Sequence, residues 1–122
     1  MADTHLDHGV LIALQDVMEE EYPLLLDTFL ADSEERLRLL RMAQDAGQII
    51  DAAHSFKGSS SNMGALHLAA LCHQLEQRAK EHNLADVESL VLAIDREFAL
   101  VRPQYEAERQ RSQADADAVR RF

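Results

Sequence analysis

One stretch of the chain, Ala53-His54-Ser55-Phe56-Lys57-Gly58-Ser59-Ser60-Ser61-Asn62-Met63-Gly64-Ala65, gathers residue types that could move a phosphoryl group. An imidazole near neutrality is substantially unprotonated, so one ring nitrogen keeps a lone pair able to attack phosphorus. Lys57, one helical turn after His54, supplies a charge that persists at neutral pH and would pair with a phosphorylated ring. On a wheel of about 100° per residue with His54 at zero, Ile49, Ala52, Ala53, Phe56 and Met63 fall between about 160° and 260° and mark the buried side. Lys57, Gly58 and Ser61 fall at about −60°, about +40° and about −20°, so they surround His54 on the side facing solvent. A glycine inside a helix costs roughly 0.5–1 kcal/mol relative to alanine. At Gly58 the missing side chain has a use: it clears an approach to the imidazole. Phosphoryl transfer depends largely on positioning and charge stabilisation, so these groups suffice for a carrier, though not for a kinase.

The neighbouring residues carry less. Asp51, at about +60°, could hydrogen-bond the ring, but it reads first as a solvated surface acid. Ser59 and Ser60 point toward neighbouring helices and permit close packing, whereas Ser61 shares the reactive face and could donate to a phosphate. Ile50, at about −40°, is an apolar residue on the exposed side and is either a small docking patch for a partner or a partly covered edge residue. Asp51-x-x-His54 is half of a di-metal carboxylate pattern, but no other histidine has an acid three residues before it. His67 and His73 are spaced wrongly for one helical face, so no metal site is expected. Cys72 lies on an apolar stripe and reads as a small core residue rather than a nucleophile.

The elements that must position this stretch are helices, since Ala, Leu, Glu, Gln, Asp and Arg dominate and no segment alternates apolar and polar residues. Apolar steps of three and four predict a short helix over 9–18 and a long one through Tyr22, Leu26, Phe29, Ser33, Leu37 and Leu40, ending near Gly47. A third helix is expected over 48–63, with Gly64 as its left-handed stop. The fourth, 65–83, sets Leu68, Cys72, Leu75 and Ala79 on one stripe, with Glu76, Arg78, Lys80 and Glu81 mainly elsewhere. Asp86 is a candidate N-cap for a fifth helix through Val87, Leu90, Val91, Ile94, Phe98 and Val101, which Pro103 should kink or end. Residues 104–122 are then an exposed helical extension or a frayed tail. The fold class is all-α: an antiparallel up-down-up-down four-helix bundle with a short N-terminal capping helix and a charged C-terminal extension. All 122 residues are expected to form one domain, with the bundle over about 9–103.

Composition excludes several functions. A net charge of −10, 5% aromatic residues and no Trp oppose binding to nucleic acid or an anionic membrane surface. No Walker motif or dinucleotide fingerprint occurs among the four glycines, so no ATP site of those types is expected. Neither a membrane span nor a signal peptide is evident, and a single cysteine fits a reducing compartment, so the expected location is the cytoplasm.

His54-Ser55-Phe56-Lys57-Gly58-Ser59-Ser60 followed by Gly64-Ala65 resembles the signature of histidine-containing phosphotransfer (HPt) domains of bacterial phosphorelays. Phe29-x-x-Asp32 and Leu71-Cys72-x-x-Leu75-Glu76 also fit, so the resemblance covers about Leu11 to Phe98, and the whole chain is similar to the freestanding HptB-type branch of pseudomonads. Phe56 stands where leucine is commoner, and the segment after Pro103 is not explained by the resemblance. The resemblance implies a bundle displaying His54 as phospho-acceptor, assisted by Lys57 and Gly58. It also implies a shuttle between receiver domains of hybrid sensor kinases and of a response regulator, with Mg²⁺ and the acceptor carboxylate on the receiver and no cofactor in this chain. A monomer is expected. The competing reading is a helical adaptor that binds receivers without being phosphorylated.

Overall fold

The structure, a computed structural model, describes the backbone of residues 5–120 and the side chains of residues 5–114. Among the described residues there is no strand. The helices are α1 (His8–Met18), α2 (Tyr22–Met42), α3 (Ala46–Asn62), α4 (Leu66–Lys80) and α5 (Val87–Arg120), with short 3-10 turns at Glu19–Glu21 and Leu84–Asp86. The four longer helices close a ring in which α2 packs on α3, α3 on α4, α4 on α5 and α5 on α2. Ion pairs Asp27–Arg109, Glu34–Arg102 and Arg41–Asp95 match rising numbers on α2 with falling numbers on α5, so these two helices run in opposite directions. The core between the helices holds Leu26, Phe29, Leu37, Phe56, Leu68, Leu75, Ile94, Phe98 and Val101. Full burial of such a side chain is worth about 1.5–3 kcal/mol, which holds an amphipathic helix that would be marginal alone. Phe56 is accommodated in this core, meeting Phe98 edge-on with ring centroids 6.5 Å apart. No helix of the described residues is long and apolar enough to cross a membrane.

Several element boundaries differ from the sequence expectation. α2 stops at Met42 rather than near Gly47, because Asp45 caps the next helix by accepting from the Gln48 amide at 2.8 Å while Gln48 accepts from the Gln44 amide at 2.7 Å. Gly47 therefore lies inside the first turn of α3. Asp86 sits in a 3-10 turn before α5, and α4 ends at Lys80. The largest difference follows Pro103, which does not end α5: the helix continues to Arg120. Proline removes one donor, the one that would have served the carbonyl of Ala99. Ala99 is exposed, so water can serve it instead.

The first part of the extension is packed rather than exposed. Tyr105 is fully buried, stacks edge-on against Phe29 with centroids 5.0 Å apart, and donates its hydroxyl to the Met63 carbonyl at 2.6 Å. Tyr22 donates to Glu108 at 2.9 Å. These contacts tie α5 to the end of α3 and the start of α2. Gly64 adopts the expected left-handed backbone, φ +76°. Its carbonyl accepts from the Asp7 amide at 2.7 Å, and the His5 carbonyl accepts from the Leu66 amide at 3.1 Å, so the segment before α1 straps the α3–α4 turn.

Candidate functional site

α3 carries the stretch singled out in the sequence, and its wheel is realised in space. Ile49, Ala52, Ala53 and Phe56 are buried, while His54, Gly58 and Ser61 are exposed. The His54 side chain is 67% exposed. Its surroundings are set by a residue whose role the sequence did not reveal. Glu76 of α4 is buried beneath the ring, with Oε2 at 2.8 Å from His54 Nδ1 and Oε1 accepting from Lys57 Nζ at 2.7 Å. Lys80 Nζ stands 3.2 Å from the same Oε2. The Lys57 ammonium, opposed by burial and reinforced by His54 and Lys80, pulls the Glu76 carboxyl down to about 2.

This pins the tautomer. Glu76 is a carboxylate at neutral pH and only accepts hydrogen bonds, so the neutral His54 ring must carry its proton on Nδ1. The lone pair is then on Nε2, on the far side of the ring. Buried carboxylates are stable when paired and bonded, and here three donors converge on two oxygens.

A β-carbon placed on Gly58 would meet nothing within 4 Å, so the space over that part of the helix is open. Lys57 is partly covered, with its ammonium committed to Glu76. Asp51 is exposed and makes no ion pair with His54; Glu76 occupies the place beside the ring. Ile50 is half-buried, with part of its side chain packed against the core. Ser61 is exposed on the His54 face, and Ser60 is buried with its hydroxyl unpartnered among the described residues. Ser59 is half-buried and its hydroxyl donates to the Phe56 carbonyl at 3.2 Å. Cys72 is fully buried, and burial pushes its thiol up to about 12, out of range for a nucleophile. Among the described residues no group of three or more His, Cys, Asp or Glu side chains could hold a metal ion.

The sequence matches the Hpt domain family over residues 24–104. The chain belongs to this family. Known Hpt relatives agree. The phosphorelay protein LuxU of Vibrio vulnificus is 32% identical over 89 residues, covering 67% of this chain and 75% of the relative. LuxU of Vibrio cholerae is 29% identical over 76 residues, covering 60% of this chain and 67% of the relative. The crystal structure of histidine-containing phosphotransfer protein B (HptB) from Pseudomonas aeruginosa PAO1 superposes with a TM-score of 0.88 at 52% identity, covering 90% of this chain and 98% of that one. The Hpt match stops one residue short of Tyr105, so the contacts of Tyr105 and Glu108 lie beyond the matched family region. Hpt proteins are phosphorelay carriers rather than classical enzymes.

Proposed function

We propose that this Hpt protein is a phosphorelay intermediate that carries the phosphoryl group on Nε2 of His54. The observation that carries the reading is the exposed imidazole anchored through Nδ1 on a buried, ionised Glu76. The Nε2 lone pair attacks the phosphorus of an aspartyl phosphate on the receiver domain of a hybrid sensor kinase. The new N–P bond forms as the P–O bond to the aspartate breaks, and that carboxylate leaves with the electron pair. The Nδ1 proton stays on Glu76's side, so the positive charge that develops on the ring is met by a carboxylate already in place. The return step is the reverse, with a carboxylate oxygen of a response regulator's receiver attacking phosphorus and His54 leaving. Lys57, paired with Glu76 beside the ring, contributes its positive charge to stabilising the transferring oxygens through space, Gly58 gives the partner room, and Ser61 offers a hydroxyl to the phosphoryl group. Mg²⁺ belongs with the acceptor aspartate on the receiver; the carboxylate nearest His54 is already engaged by two ammonium groups and the ring.

The test is transfer from phosphorylated receiver domains. Label is expected on the wild type and not on His54→Gln, with the phosphoryl group on Nε2 by nuclear magnetic resonance. Receiver binding by both proteins without label on either would replace the carrier by an adaptor.

A further inference from the structure

Arg36, on α2, donates its Nε–H to the hydroxyl of Ser55 at 2.9 Å. Ser55 is the residue next to His54, so this bond holds a guanidinium from α2 beside the histidine's neighbour, whereas Lys57 and Lys80 meet at Glu76 on α4. Among the described residues its terminal nitrogens have no hydrogen-bond or ion-pair partner. That is not for want of acids, which number 22 against 12 basic residues. Asp32, one turn earlier on the same helix, makes no ion pair with it, and Glu35 is taken by Arg38. Arg41, Arg78, Arg102, Arg109 and Arg111 each pair with a carboxylate. Arg96, on the outer side of α5, has no such partner either, but no hydroxyl beside the nucleophile holds it.

We propose that Arg36 is a docking residue that pairs end-on with a carboxylate of the receiver domain seated over His54. This rests on the carrier reading. A guanidinium presents a planar fork suited to a carboxylate; Ser55 occupies the Nε edge of the half-buried Arg36, while no hydrogen bond or ion pair among the described residues holds the edge formed by the two terminal nitrogens. Lys57 and Lys80 share Glu76, whereas Arg36 forms no ion pair among the described residues, its charge being felt only through space by Glu35, which is held by Arg38. A chain of net charge −10 repels an acidic partner at long range, so a local cation at the contact decides which surfaces can seat.

The experiment uses the full chain and purified receiver domains, measuring receiver binding by titration and transfer as a function of receiver concentration. Arg36→Ala is expected to weaken binding and raise the half-saturating receiver concentration about tenfold, with the maximal transfer rate and the thermal melt unchanged. Arg36→Lys, keeping charge without the fork, should recover about a third of the loss on a logarithmic scale. Ser55→Ala, which releases the guanidinium, should weaken binding about two- to threefold. Raising salt should weaken the wild type more than Arg36→Ala. Unchanged receiver binding in Arg36→Ala, or a loss confined to the maximal rate, overturns the assignment. Weakened binding in Arg36→Ala when the wild type is never labelled sustains the contact and overturns the carrier reading; absence of any receiver binding overturns both.

Discussion

Replacing Glu76 by glutamine tests the electrostatic centre of the site. The side chain keeps its shape and its capacity to accept from Nδ1–H, but loses the charge that Lys57 and Lys80 answer. In the folded protein the Glu76 carboxyl lies at about 2, against an ordinary value of 4.5. Each tenfold in proton affinity is worth about 1.4 kcal/mol, so the displacement corresponds to about 3 kcal/mol of stability. Because the folded value is the depressed one, that stability is present above about 4.5 and is lost as the pH falls towards about 2. At neutral pH, Glu76→Gln should therefore be less stable than the wild type by about 2–3 kcal/mol. As the pH is lowered from 5 to 2 the difference should shrink towards zero, since the wild type then protonates the same group. Urea unfolding followed by circular dichroism at several pH values measures this difference. A deficit that stays constant across that range would show that the carboxylate's charge is not what the ammonium groups hold, and the account of the site would fail.

Other substitutions probe the surrounding structure. Gly58→Ala should raise stability by about 0.5–1 kcal/mol, since the added carbon meets nothing and a helical glycine is removed, whereas Gly58→Gln should keep the helical spectrum and block transfer by filling the approach; unchanged transfer in Gly58→Gln would remove the clearance role. Tyr105→Phe should cost about 1–3 kcal/mol in a urea melt, because it strands the buried Met63 carbonyl. Gly64→Ala should destabilise more than a typical surface change, by at least about 1 kcal/mol, as its side chain would meet the Asp7 carbonyl oxygen at 2.9 Å in a left-handed backbone; thermal melts decide both.

The face of the proposed site was legible in the sequence because it sits within one helix, where spacing fixes direction: His54, Lys57 and Gly58 share a face whatever else the chain does. Glu76 was not, because its proximity depends on how α4 docks against α3, and a glutamate among charged neighbours reads as solvated. A usable signal was nonetheless there. Glu76 follows Cys72 by four and Leu68 by eight, the continuation of the buried stripe, so a charge was heading inward and needed partners. The extension was hidden for a similar reason. Ile94, Phe98, Val101, Tyr105, Glu108 and Ser112 step by four and three straight across Pro103, but the proline outweighed the period in a reading confined to local preference. Packing of Tyr105 and Glu108 offsets the missing backbone bond.

The reach of α5 beyond Pro103 bears on anyone who would transplant this phosphocarrier into an artificial signalling circuit. Cutting at the limits of the family match would excise Tyr105, unseat the ring that shields Phe29, and leave the carbonyl at the end of the histidine-bearing helix wet and unanchored. The portable unit is therefore longer than the homologous one, extending from the N-terminal strap at His5 through at least Ser112.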